Sequence, residues 1–552
     1  MTWAFDALGR VTTETNLLGT FAYTYDGPTA RLATVTYPNG QTSTYSYLAA
    51  SQERRLQTIH HHYPNAATLS KFDYTYDAAG NILTWQQQAD SAAPTLWRYG
   101  YDRADQLLSA SQETTGGTPT VLHEYAYGYD PAGNRLYEQI DTDVTAWTYT
   151  NLNRLQAQAG GGVLQLRGSV NEPATVTIQG VPAAVSSANQ FQGGLPVQPG
   201  TNVFTVTATD GSGNVATAQY EVDVTNAPKT FTYDANGNLT SDGTRTFEWD
   251  ARNELVAINT GTHRSEFTYD GERRRVRVIE KENGATQSDT KVLWCDQEIC
   301  EERAADGVTI MRRAFAQGDQ VASATRFFVE DHLGSVGGVT DGTSAVLARY
   351  TFDPWGRRVV AAGTDTTSDG YTGHQWQAAG GLSLALYRSY DPELGRWLSE
   401  DPAGRADGPN LSIYVRGNPV TYSDEWGLLR TVGFPADKQK EVDDAIEAIR
   451  EKLKCGNCAG PDTDRLRDLV DNPGTIIKYS PNLKYCGQTG PMTVMKLNRT
   501  FSVGPKAWNC CSNTNDPKTS LASTILHELA HRGDGGEKRP RELEERCFGC
   551  KN

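Results

Sequence analysis

The sequence predicts a mostly β protein: a long array of antiparallel hairpins, a β-sandwich inserted into it, and a small α+β domain at the C-terminal end. Three observations carry this reading. "YDAAGNIL" (76–83), "YDPAGNRL" (129–136) and "YDANGNLT" (233–240) are near-copies, and recurrence of one motif marks a repeat architecture. From about 163 to 226 the motif is lost, and short Val/Thr-rich strands follow at regular spacing. Past residue 428 helical periodicity appears, and seven of the nine cysteines lie there.

The hairpin array covers 1–162 and 227–428. Looser copies of the motif are "FDALGRVT", "YDRADQLL", "WDARNELV" and "YDGERRRV". Each joins an alternating, aromatic-rich strand to an Asp/Asn/Gly turn and then to a further strand. The aspartate shapes the turn and the tyrosine packs, so neither is expected to be catalytic. The chain opens on "MTWAFDALGR", in mid-repeat and with no signal-peptide pattern, as expected of a piece of a longer protein. Between the linkers "AGGGV" and "TNAPKT", residues 163–226 show the short strands and Gly/Asn/Pro turns of a small immunoglobulin-like sandwich.

Residues 429–552 read as a small α+β domain. "PADKQKEVDDAIEAIREKLK" places Val442, Ile446, Ile449 and Leu453 on one helical stripe, and "DTDRLRDLVD" is a second, shorter helix. "TIIKYS" and "MTVMKLNRTFSV" read as strands. "TILHELAHRGDGG" (524–536) carries the chemistry. His527 and His531 lie one above the other on a helix face, the spacing at which two imidazoles grip one tetrahedral Zn2+. Glu528 then stands within reach of an attacking water as general base. The helix starts from Thr519 or Ser520 as N-cap, runs through Leu521, Ile525, Leu526 and Leu529, and ends at Gly533.

A third metal ligand must be acidic or cysteine, because His527 and His531 are the only histidines after residue 428. Glu537 stands at the last-ligand spacing of HExxHxxGxxH proteases, but Asp534 replaces the glycine of that pattern. In "RPRELEERCFGCKN" Glu544 shares a helix face with Leu543, Cys547 and Phe548, whereas Glu542 and Glu545 point away. A carboxylate on an apolar face needs a partner, so Glu544 is the expected ligand. The pairs Cys455/Cys458 and Cys547/Cys550 fit a second, structural zinc, or disulfides together with Cys486, Cys510 and Cys511.

"FFVEDHLGSVGGVTD" (327–341), "FDPWGRR" (352–358) and the stretch from "GYTGHQWQAAGGLSLALYRSYDPELGRWLSEDPAG" to "NLSIYVRGNPVTYSDEWGL" (370–428) resemble, together with the Tyr-Asp repeats, the Rhs/YD-repeat polymorphic toxins. The resemblance covers most of 1–428 apart from the insert. It implies a hollow β-shell, a core-closing segment, and a C-terminal toxin domain at 429–552. The repeats would then be a container and the zinc motif its cargo. It also implies self-cleavage after paired Asp-Pro-x-Gly motifs. The first is Asp401-Pro402-Ala403-Gly404; the second reads Asp424-Glu425-Trp426-Gly427, with glutamate where the family has proline. Asp401 and Asp424 would be the paired carboxylates, Arg396 resembles the family's arginine beside them, and the cut would fall between Leu428 and Leu429. The expected partners are a cognate immunity protein, a delivery apparatus such as type VI secretion reached through a missing N-terminal region, and a protein substrate in the target cell. The expected location is outside the producing cell, reached without a Sec signal.

A net charge of −15 without a Lys/Arg-rich run argues against a nucleic-acid-binding surface. No window reaches the ~18 consecutive apolar residues of a membrane span. Two readings compete with an exported zinc metallopeptidase used in interbacterial competition. One is a YD-repeat adhesion protein in which the HELAH helix is incidental. The other is a zinc hydrolase acting on non-peptide bonds, since HExxH specifies an activated water and not the bond it attacks.

Overall fold

The computed structural model describes residues 1–295, 297–364, 367–402, 404 and 409–427, and the strands Ile476–Tyr479, Gly487–Thr489 and Thr500–Val503. Among the described residues there is no α-helix. Two long sheets hold their strands in strict sequence order. One has fifteen strands, from Thr2–Phe5 through Leu155–Gly160 to Lys229–Thr230; the other has fourteen, from Thr232–Tyr233 to Arg358–Gly363. No described helix is long and apolar enough to cross a membrane.

The repeat motif builds this meander by three local devices. The motif aspartate accepts backbone N–H groups across the turn, as Asp130 Oδ1 does from Ala132 (2.8 Å) and Asn134 (2.9 Å). The tyrosine hydroxyl donates to a backbone carbonyl of an earlier strand: Tyr76 to Leu56 (2.6 Å), Tyr101 to Ile82 (2.8 Å), Tyr129 to Leu107 (2.7 Å) and Tyr269 to Leu255 (2.9 Å). The strand pairing also shifts by a bulge just before the motif aromatic, at Tyr25, Tyr76, Tyr129, Tyr149 and Tyr269. A bulge bends a strand and increases its twist, so a bulge in every repeat curves the whole sheet.

Curvature brings the end of the second sheet onto the beginning of the first. Phe327 packs edge-on against Phe21 and Tyr37, both at 6.1 Å. Thr340 Oγ1 donates to Gln41 Oε1 at 3.0 Å, and Arg349 pairs with Asp90 at 2.6 Å.

The insert forms two small sheets. Gly162–Ser169, Gln190–Val197 and Ala184–Val185 make one; Val181–Pro182, Ala174–Ile178, Gly200–Asp210 and Val215–Val224 make the other. Leu164, Val176, Ile178, Val197 and Phe204 are buried between them. The insert is spliced into a hairpin, since Leu155–Gly160 pairs across it with Lys229–Thr230. Cys295 and Cys300, which the sequence leaves unassigned, form a disulfide beside the turn joining Ala285–Cys295 to Glu298–Arg303.

In the C-terminal region Ile476–Tyr479 pairs parallel with Thr500–Val503, which pairs antiparallel with Gly487–Thr489. The expected helices, His527, Glu528, His531, Glu544 and the Leu428–Leu429 bond lie outside the described residues.

Four short strands, Gln375–Gln377, Leu382–Leu384, Ser389–Asp391 and Arg396–Trp397, form the closing sheet. Leu382, Leu384 and Leu398 enter the core of the second meander, and Val420 enters that of the first. The closing segment is therefore clamped between both long sheets.

Candidate active site in the closing segment

The two Asp-x-x-Gly stretches form turns with their glycines in the left-handed region (Gly404 φ +69°, Gly427 φ +74°), a conformation that glycine adopts without steric cost. Asp401 N–H donates to the Leu411 carbonyl at 2.9 Å, and Gly404 N–H donates back to the Asp401 carbonyl at 2.8 Å. In the second turn Gly427 N–H donates to Asp424 Oδ1 at 2.9 Å. A Cβ on Gly427 would lie 3.0 Å from Arg388 Cβ, so glycine lets this turn settle onto Arg388.

Arg388 joins the turns. Its Nη2 lies 3.0 Å from Asp401 Oδ2 and 3.0 Å from Asp424 Oδ2. Its Nε donates to the Gly427 carbonyl at 2.5 Å, and its guanidinium lies 4.3 Å from the centre of the Trp397 ring. Arg388, Asp424 and Trp397 are all buried. Burial strengthens the interactions among these charges and raises the cost of leaving any of them unmatched.

Asp401 and Asp424 are thus brought together, and Arg396 is not the arginine between them. Arg396 and Trp397 are neighbours on one strand, so their side chains take opposite faces. Trp397 lies under Arg388. Arg396 donates from Nη1 to Asn134 Oδ1 (3.0 Å) and from Nη2 to the Asn153 carbonyl (2.7 Å), over the Tyr149 ring. In sequence, Arg388 sits in "LYRSYD" with no spacing that marks it; only its position three-dimensionally between the two turns does.

His374 is a second group that the sequence does not flag. It is buried, and its Nε2 donates to the Asp424 carbonyl at 2.9 Å. Burial pushes its pKa down to about 4, and the Arg388 charge acts in the same direction against the carbonyls of Asp424 and Glu425. It is a neutral structural donor at neutral pH. Glu425, in the proline position, is exposed.

Residues 201–408 match the family model described as Teneurin YD-shell. The chain is 29% identical over 252 residues to the tRNA3(Ser)-specific nuclease WapA of Bacillus spizizenii, covering 42% of this chain and 11% of that protein. It is 26% identical over 436 residues to toxin subunit YenC1 of Yersinia entomophaga, covering 71% of this chain and 40% of that one. It is 28% identical over 240 residues to double-stranded DNA deaminase toxin A of Burkholderia cenocepacia, covering 36% and 17%. The chain therefore spans less than half of each of these relatives. A solved Photorhabdus luminescens Tc holotoxin pore covers 78% of this chain and 28% of its own, at 16% identity and a TM-score of 0.31.

Proposed function

We propose that the closing segment cuts its own chain between Leu428 and Leu429, and that the shell so separates itself from an effector at 429–552. The observation that carries the reading is the placement of Asp401 and Asp424 on one Arg388 nitrogen. Two carboxylates and one guanidinium in a buried site are charge-neutral when one carboxyl holds a proton. That is the state in which a pair divides acid and base roles. The ionised carboxylate takes a proton from water as its oxygen attacks the Leu428 carbonyl carbon. The other carboxyl gives its proton to the Leu429 nitrogen as the C–N bond breaks. Arg388 binds the Gly427 carbonyl and so fixes the chain one residue before the bond to be cut.

For the effector, the HELAH motif supports a zinc metallopeptidase, with Zn2+ on His527, His531 and Glu544. The ion supplies Lewis-acid polarisation when bound, and Glu528 serves as general base. A second reading, a zinc hydrolase acting on another bond type, is favoured by relatives named as a tRNA nuclease and a DNA deaminase. A cognate immunity protein, a delivery apparatus and export into a target cell complete the proposal, in keeping with toxin relatives. N-terminal sequencing of any small fragment tests the cut, expected to begin at Leu429. Metal analysis and a cleavage screen against protein and nucleic-acid substrates test the effector. An uncut, zinc-free chain would leave the adhesion reading.

A further inference from the structure

The aspartate-capped turn does not select the residues that follow it. Arg10, Gln106, Glu254, Arg274 and Ser335 each donate their N–H to the turn aspartate at 2.9–3.0 Å. These residues stand where the three near-copies carry Asn81, Asn134 and Asn238. Asp105, Asn253 and Arg273 likewise take the positive φ (61°, 61° and 66°) at the position where those copies carry glycine. The turn alone therefore requires neither the Gly nor the Asn, although in all three copies the Asn side chain also donates to the turn aspartate and to the neighbouring turn.

The closing segment reaches two of the asparagine side chains and two of the glycines; Asn238 Nδ2 donates instead to Asp234 (2.8 Å) and Asn253 (2.9 Å), and Gly80 lies beside Arg55. Asn134 Oδ1 accepts from Arg396 Nη1 (3.0 Å) and from Asn410 Nδ2 (2.8 Å). Asn81 Oδ1 accepts from Asn418 Nδ2 at 2.9 Å, and Ile82 N–H donates to Thr421 Oγ1 at 3.3 Å. At the third copy Leu239 N–H donates to the Leu398 carbonyl at 2.9 Å. A Cβ on Gly133 would lie 2.8 Å from Ile413 Cδ1, and one on Gly237 would collide with the Glu400 carboxylate. Asn81, Asn134 and Asn238 are all buried. The same Asp-x-x-Gly-Asn turn at Asp210–Asn214, in the sandwich, makes the same internal bonds but is exposed.

We propose that the three Gly-Asn turns are docking seats for the closing segment, and that Asn81 and Asn134 are positioning residues for its aspartate pair. The path is short. Asn134 holds Arg396, the next residue Trp397 lies under Arg388 on the other face, and Arg388 holds Asp401 and Asp424. Only the link to cleavage rests on the self-cleavage reading; the seating does not.

The test is hydrogen exchange across residues 396–418 in the full chain, read beside the rate of the cut. Asn81→Ala and Asn134→Ala should raise exchange there on the order of tenfold, the effect of losing about one net hydrogen bond. Asn214→Ala should leave it unchanged. Arg396→Met removes the Asn134 contact from the closing segment's side while leaving the Asn134 bonds to Asp130 (2.8 Å) and Asn153 (2.9 Å) in place. It should raise exchange and slow the cut, which a residue that merely stabilised its own turn would not do, and Arg396→Lys, which keeps a donor, should restore part of both. Should the Asn134 variants misfold, Asn410→Ala removes the same bond from the other side and should raise exchange alike. Unchanged exchange in the alanine variants, or an equal rise in Asn214→Ala, overturns the seats. Raised exchange in a chain whose wild type is never cut keeps the seats and removes the cleavage reading.

Discussion

The carboxylates of Asp401 and Asp424 each lie 3.0 Å from one and the same nitrogen, Nη2 of Arg388. Sequence separates them by a loop; the fold joins them through a side chain that neither motif contains. One guanidinium serves two carboxyl groups in a largely buried place, and several consequences are measurable.

Asp401→Asn and Asp424→Asn should each leave the chain whole on a denaturing gel, because an amide cannot exchange the proton that a carboxyl pair exchanges. The loss should be at least about 100-fold, the lower range for a general acid or base. The wild type should run as a large and a small fragment that stay together in native buffer, and the cut should survive Glu528→Gln. An uncut wild type would direct attention to Glu425; Glu425→Pro should then restore the cut, since proline restricts the aspartate before it. Failure of that variant as well would end the self-cleavage proposal.

Arg388→Met should abolish the cut and also destabilise the closing segment. Removing one partner of a buried ion cluster costs about 3–5 kcal/mol. Arg388→Lys keeps the charge but not the planar fork that reaches the Gly427 carbonyl and both carboxylates at once. It should recover part of the stability in denaturant titration and little of the cutting. Full cutting in the lysine variant would show that charge alone suffices and that holding Gly427 is irrelevant.

His374 gives the closing segment an acid limit. Its pKa falls from 6.5 to about 4 through burial, so the unfolded chain takes up the proton first. The stabilisation is complete above pH 6.5 and is lost as pH falls through about 4. A shift of this size corresponds to roughly 3 kcal/mol at most. His61, also buried and held at about 4, adds to the same slope. His374→Gln keeps a donor for the Asp424 carbonyl and does not titrate. It should flatten part of the fall in melting temperature between pH 6.5 and 4; an unchanged slope would exclude His374 as a source of it.

The array was legible because its signal is local. Tyr-Asp marks the bulge, the turn and the hydroxyl bond within a few dozen residues, as at Tyr129 and Asp130. The sandwich was legible from the loss of that motif. Asp401 and Asp424 could be named from the Asp-x-x-Gly resemblance. Arg388 could not, because its role depends on two turns, distant in sequence, that the fold brings to one of its nitrogens. Arg396 was drawn toward the pair by its place in "LGRWLSEDP", while strand alternation sends its side chain to Asn134 instead. The disulfide between Cys295 and Cys300 needed the hairpin register to become visible.

The final prediction concerns the effector, where three glutamates must be told apart. Purified protein should bind about one zinc, as one tetrahedral site would, and lose it on His527→Ala or His531→Ala. Glu528→Gln keeps the helix and both imidazoles, so zinc should remain while hydrolysis falls. Glu544→Ala should weaken zinc binding by about 10-fold or more, whereas Glu542→Ala and Glu545→Ala should be close to neutral. The reason is the shared face with Leu543, Cys547 and Phe548, on which a carboxylate without a cation is costly. Equal zinc affinity in the three glutamate variants would reject Glu544 and return the third position to Glu537 or Asp534. Folded protein that takes up no zinc when the metal is supplied would remove the hydrolase readings altogether and leave the closing segment as the molecule's one proposed catalytic centre.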